Sequence, residues 1–241
     1  MNIYTVRRAS QGLSNCLKHG HSNPSVVLAR DSRIKSELFA KAAAGVFAAN
    51  GIHVYYFEDI TPTPLLSFAV RELHASAGIV ITASHNPKEY NGYKVYDFDG
   101  CQITTKTAKA IQEQISLVDT FKDVKHMAAD CAFVSGMLEA LDSSVYDDYL
   151  SAVKAQSVLY GSDIDKNISI VYTPLNGTGL KPVSDVLKSS GYENVTVVES
   201  QADPDGEFPT CPKPNPEERS AMDEGLANCR AVGADLLIFQ A

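Results

Sequence analysis

The run Thr82-Ala83-Ser84-His85-Asn86-Pro87 continues as Lys88-Glu89-Tyr90-Asn91-Gly92-Tyr93-Lys94. Its residue types suit phosphoryl transfer through a protein hydroxyl. Ser84 can act as nucleophile and carry a phosphoryl group, while His85 and Lys94 can supply positive charge or move protons. Asn91-Gly92 permits a tight turn that folds Lys94 back toward the serine. Each residue also has a plain structural use. A serine after a strand often satisfies backbone groups, a histidine can be a hydrogen bonder, and a lysine can be a solvated charge.

The elements around the serine decide how it would be presented. Ala77-Gly78-Ile79-Val80-Ile81 is apolar throughout and reads as a buried strand, which Pro87 keeps from simply continuing. Val26 to Ala29 reads as an earlier strand, and His53 to Phe57 as another. Between them Leu38, Phe39, Ala42, Ala43, Val46 and Phe47 recur at helical spacing, with Asn50-Gly51 as the stop. Thr61-Pro62 predicts a capped helix through about Leu73; Tyr93 to Tyr96 alternates like a strand, and Thr104 to Val118 reads as helix.

Asp119 to about Asp165 reads as an interdomain connection containing one amphipathic helix from Val145 to Val158. A second alternation follows: strand at Ile168–Tyr172, helix from Asn176-Gly177-Thr178-Gly179 to Ser190, and strand at Val195–Val198. A helix then opens at Asn215-Pro216-Glu217-Glu218, and the last strand is Ala234–Phe239. The expected class is α/β: two consecutive three-layer αβα domains on mainly parallel mixed sheets, divided as 1–150 and 151–241. The second domain reads as incomplete, because its final strand meets the end of the sequence with no covering helix. Uncovered sheet would favour self-association.

Composition narrows the function classes. Across 241 residues, 44% hydrophobic and 21% charged content fits a soluble globular protein, and no apolar run is long enough to span a bilayer. A formal net charge of -8 offers no basic surplus for a nucleic-acid backbone. The five cysteines are scattered without metal-site or redox spacing, and Met1 to Arg8 has no apolar leader core. Together these predict a cytoplasmic protein with reduced thiols.

The serine run, with Tyr90-Asn91-Gly92-Tyr93-Lys94 behind it, resembles the active-site signature of the α-D-phosphohexomutases, the phosphoglucomutase and phosphomannomutase superfamily. Arg30-Asp31-Ser32-Arg33, Thr61-Pro62-Thr63-Pro64 and Asp99-Gly100-Cys101-Gln102-Ile103 are similar to family segments at comparable spacing. So are Asn176-Gly177-Thr178-Gly179, Asp203-Pro204-Asp205-Gly206-Glu207-Phe208-Pro209 and Pro214-Asn215-Pro216-Glu217-Glu218. The resemblance implies that Ser84 carries a phosphoryl group, passes it to a hexose phosphate, and takes the other phosphate back from a bisphosphate intermediate. It implies Mg²⁺ bound through the phosphate on Ser84, proton transfer by Lys94 and a supporting role for His85. Asn86, Arg30 and Arg33 become candidate phosphate or substrate contacts, although a structural ion pair is the safer reading of the two arginines. Sugar phosphates are the implied partners, glucose first, with mannose or pentose phosphates and a non-catalytic sugar-phosphate-binding module as alternatives.

The family's opening Gly-Thr-x-Gly-x-Arg-Gly loop and its Asp-x-Asp-x-Asp-Arg metal loop do not occur in this sequence. It therefore reads as an amino-terminal portion of a phosphohexomutase, with little mutase activity expected from these residues alone. Asn176-Gly177-Thr178-Gly179 reads as a tight strand-to-helix turn before an anion site. His19-Gly20-His21 reads as surface, and Asp147-Asp148 and Glu217-Glu218 as solvated helix residues.

Overall fold

The computed structural model describes every residue except Tyr160, Gly161, Asp163, Pro212 and Ala241. The chain forms two compact units. The first takes Met1–Asp31, Lys35–Thr82 and Asn91–Val145; the second takes Ser32–Ile34, Ala83–Tyr90 and Tyr146–Ala241.

In the first unit, α1 (Ile3–Gly20) starts at a reciprocal cap in which Asn2 accepts from the Thr5 N–H and Thr5 from the Asn2 N–H. The order continues β1 (Ser25–Arg30), α2 (Ser36–Ala49), β2 (His53–Tyr56), α3 (Thr63–Glu72), β3 (Ala77–Ile81), β4 (Tyr93–Asp97), α4 (Thr105–Leu117), α5 (Ala129–Val134) and β5 (Leu138–Ala140). The sheet order is β4-β3-β1-β2-β5. Four strands run parallel, and β4 lies antiparallel on β3.

Strand alternation sorts the apolar side chains onto two faces. Val26, Leu28, Ile79 and Ile81 pack with Leu13 of α1 and Phe47 of α2. Val27, Ala29 and Val80 pack on the other face with Leu66, Ala69 and Val70 of α3. Each such fully buried aliphatic side chain contributes about 1.5–3 kcal/mol relative to exposure. Every residue of β3 is buried, so the strand before the serine is fixed on both sides.

The second unit contains β6 (Ile170–Thr173), α7 (Leu180–Ser189), β7 (Val195–Val197), α8 (Arg219–Val232) and β8 (Leu236–Phe239), with a parallel sheet in the order β7-β6-β8. The helix α6 (Ser143–Ala155) begins in the first unit, where Val145 joins the α3 face, and continues into the second. Within the second unit, Tyr146 of α6 donates from its phenol to Asp185 Oδ2 at 2.7 Å, and Lys181 Nζ lies 3.0 Å from the same oxygen.

Several local readings need correction. Residues 3–20 form a helix with no counterpart in the predicted pattern. The stretch read as interdomain connection contains α5 and β5, and β5 joins the first sheet beside β2. Its three residues are too few for a visible period. Thr61 does not cap α3: its hydroxyl donates to the Asp59 carbonyl, and Pro62 stands at the cap position. Asn215 accepts from the Glu217 N–H in a local turn, and α8 starts four residues later with Glu218 at its cap. The Gly177 amide donates to the Pro174 carbonyl and closes the tight turn, while the Asn176 amide donates to the distant Gln201 carbonyl.

Candidate active site

The chain leaves β3 through buried Thr82 and Ala83, then turns outward at Ser84, which is exposed together with His85 and Asn86. Asn86 N–H donates to the Ala83 carbonyl at 3.1 Å, which closes a turn with Ser84 and His85 at its corners. Ser84 has φ 55°, a left-handed conformation uncommon for a residue with a Cβ. Such backbone persists only where its surroundings over-determine it. Ser84 Oγ lies 3.5 Å from His85 Nδ1, near the limit for a hydrogen bond, so the ring is adjacent without gripping the hydroxyl.

The surroundings that fix this turn come from Arg33, which is only 3% exposed. Its Nη2 donates to the Ser84 and Asn86 carbonyls, each at 2.6 Å. Its Nη1 donates to the Pro87 carbonyl at 2.8 Å and the Tyr90 carbonyl at 3.0 Å. Each terminal nitrogen carries two N–H groups and meets two carbonyls. The guanidinium lies 5.4 Å from the centroid of the Phe208 ring. Lys88 Nζ bonds Glu207 Oε2 at 2.6 Å at the loop's outer side. Next to Glu207 in sequence, Gly206 is packed so closely that a Cβ there would come within 2.7 Å of the Ile34 nitrogen. Asn176, also left-handed at φ 56°, accepts from the Ser32 hydroxyl at its carbonyl and donates from Nδ2 to the Asp203 carbonyl.

Ser84, His85, Asn86 and Arg33 thus belong to one connected group in the second unit. The other two sequence candidates belong to the first. Arg30, at the end of β1, donates from Nη2 to the Glu58 carbonyl at 3.0 Å. Lys94 sits in β4, half-buried, opposite Val80 in the register. Asn91-Gly92 does not form the expected tight turn. The loop is closed by the Thr82 N–H donating to the Gly92 carbonyl, and Asn91 Nδ2 donates to Ser36 Oγ, which in turn donates to Asp31. The terminal N–H groups of Arg33 hold loop carbonyls, a role that its sequence position did not indicate. Glu207 and Phe208 stood out in the sequence only as part of a family-like segment; their contacts with Lys88 and Arg33 were not legible, because they join residues over a hundred positions apart.

Among the described residues, no three carboxylate, imidazole or thiol groups gather where they could hold a metal ion. The side chains present therefore do not by themselves make a magnesium site, and Ser84 would offer one ligand through a phosphate. A polar cleft of about 530 Å³ in the first unit, bounded by Gln11, Lys18, Asn50 and Lys125, includes none of the candidate residues. No helix among the described residues is long and apolar enough to cross a membrane.

Family models place this architecture. Phosphoglucomutase/phosphomannomutase α/β/α domain I matches residues 1–120, and α/β/α domain II of the same family matches residues 147–240. The chain belongs to the phosphoglucomutase/phosphomannomutase family. A phosphoglucomutase of Staphylococcus haemolyticus is 37% identical over 99% of the chain, and one of Staphylococcus aureus strain MRSA252 is 35% identical over 99%. The chain spans 43% of the first relative's length and 42% of the second's. Among solved structures, a candidate phosphomannomutase of Thermus thermophilus superposes with TM-score 0.78 at 29% identity, over 95% of this chain and 48% of that one. A family protein of Burkholderia thailandensis shares the fold at TM-score 0.73 and 23% identity, over 97% of this chain and 47% of that one.

Proposed function

We propose that this chain carries the phosphoserine of an enzyme that interconverts hexose 1-phosphate and hexose 6-phosphate, with glucose phosphates as the first choice of substrate. The observation that carries this reading is the placement of Ser84: a solvent-facing hydroxyl directly after a buried parallel strand, on a left-handed turn held by Arg33. A nucleophile that must meet a soluble sugar phosphate needs both exposure and a fixed direction.

In the proposed cycle, Ser84 Oγ carries a phosphoryl group. A sugar hydroxyl attacks phosphorus, the new P–O bond forms as the bond to Oγ breaks, and the sugar leaves its proton to a base. The resulting bisphosphate turns over and returns its other phosphoryl group to Oγ. Lys94 is the candidate for moving the sugar proton, and His85 for charge or orientation beside Oγ. Arg30 and Asn86 remain candidates for contacting phosphate oxygens. When bound, magnesium would neutralise charge on the transferring phosphoryl group. Mannose phosphates are the second reading, favoured by the likeness to the Thermus thermophilus protein.

Peptide mapping by mass spectrometry after exposure to glucose 1,6-bisphosphate tests the carrier role. A single phosphate on Ser84 is expected. In the full-length protein, Ser84→Ala should lower glucose 1-phosphate isomerisation by at least about a thousandfold, as loss of a nucleophile does. Isomerisation at the wild-type rate by that variant would remove the proposal.

A further inference from the structure

We propose that Arg33 is a positioning residue: it sets the shape of the Ser84 turn through four backbone carbonyls and does not touch the transferred phosphate. The catalytic side of this inference rests on the phosphoserine reading above.

The terminal nitrogens of a guanidinium at 3% exposure need partners within the protein, because water does not reach them. Its satisfaction comes from the Ser84, Asn86, Pro87 and Tyr90 carbonyls at 2.6 to 3.0 Å. These four groups span the whole loop from the serine to the return toward β4. One planar, always-charged fork therefore defines the relative placement of both loop turns. Lysine could not reproduce it, since an ammonium presents three donors from a single point.

The fork is itself held. The Phe208 ring lies 5.4 Å away, and the close packing of Gly206 on Ile34 and Ser32 fixes the segment that carries Arg33. Ser84, Leu175, Asn176 and Phe208 are all non-glycine residues at positive φ, and all four lie in this second-unit assembly. Two of them, Ser84 and Phe208, meet Arg33 directly, and uncommon backbone of this kind persists where its surroundings over-determine it. The alternative, Arg33 gripping phosphate directly, would require it to release the loop carbonyls it holds.

The test uses the 241-residue chain as wild type, Arg33→Ala and Arg33→Lys. Amide hydrogen exchange of the Ala83–Tyr90 peptide is read first. Arg33→Ala should accelerate it at least about tenfold while β1 to β3 stay protected, since charged hydrogen bonds are lost only at the loop. Millimolar guanidinium should restore protection to Arg33→Ala, and Arg33→Lys should recover little. Unchanged loop exchange in Arg33→Ala would overturn the inference. Phosphate transfer from glucose 1,6-bisphosphate to Ser84 is read second, on the full-length protein and its Arg33 variants. A slower transfer rate at an unchanged half-saturating concentration, rescued by guanidinium, is expected. A raised half-saturating concentration at an unchanged rate would instead make Arg33 a phosphate contact and overturn it. If wild type accepts no phosphate, the phosphoserine reading is what fails, and loop exchange still decides the positioning role.

Discussion

The first unit is held by apolar faces: Val26, Leu28, Ile79, Ile81 and Phe47 on one side of the sheet, Val27, Val80, Leu66 and Val70 on the other, all essentially removed from solvent. In the second unit the buried apolar side chains are fewer, chiefly Ile170, Val171 and Tyr172 of β6 with Leu175, Val198 and Phe208; α7 buries no residue fully, and Leu236 of β8 is 45% exposed. Its interior also holds polar side chains that bond one another. Thr173 Oγ1 donates to Gln201 Oε1 at 2.7 Å, Gln201 Nε2 donates to Thr210 at 3.0 Å, and Asn176 and Arg33 hold loop carbonyls. Apolar burial is non-directional and makes a stable platform. Hydrogen bonds are directional and fix where individual loops point. The chemistry proposed here needs the second kind of order as well as the first.

Substitutions can separate the two. Phe47→Ala should cost about 3–5 kcal/mol in urea denaturation, with faster exchange in the first unit's strands. A loss below about 1 kcal/mol would mean the apolar faces matter less than their burial suggests. Asn176→Ala should cost about 1–3 kcal/mol, because it removes the donor to the Asp203 carbonyl and places alanine at φ 56°. Its exchange signature should be confined to the second unit; spread into β1 to β3 would deny the division.

The smallest effect is a pH dependence at Asp185. Burial raises its pKa, but hydrogen bonds from Tyr146 and Lys181 outweigh that and hold the carboxyl below its usual 3.8. A depressed carboxylate stabilises the fold above its unfolded pKa, and that contribution disappears as pH falls through the folded value. Stability should therefore drop below about pH 4 in wild type and less so in Asp185→Asn. The difference should stay under about 1 kcal/mol, because both side chains of the ion pair are well exposed. Parallel acid profiles for the two proteins would assign the dependence to other groups.

Much of the platform was legible because its signals are local. The all-apolar run from Ala77 to Ile81, the helical spacing from Phe39 to Phe47 and the stop at Asn50-Gly51 each declare an element within a few residues. The serine motif was legible through residue type and family resemblance together. Element ends were harder: Thr61 and Asn215 carry the right side chains for helix caps, yet their oxygens serve neighbouring turns. The loop's supports were invisible for a different reason. Arg33 reads as a charge near a strand end, and only the folded backbone brings four carbonyls and Phe208 around it.

That arrangement has a consequence for how the chain acquires its order. The serine stands in the first half of the sequence, but its stabilising partners arrive from positions 33 and 207–208. Pairings of such wide separation form slowly and only after the intervening segments have collapsed. During synthesis the hydroxyl-bearing turn emerges long before Glu207 and Phe208 leave the ribosome. The nascent protein should therefore pass through a stage in which β1 to β3 are already native while Arg33 and Lys88 still await Phe208 and Glu207.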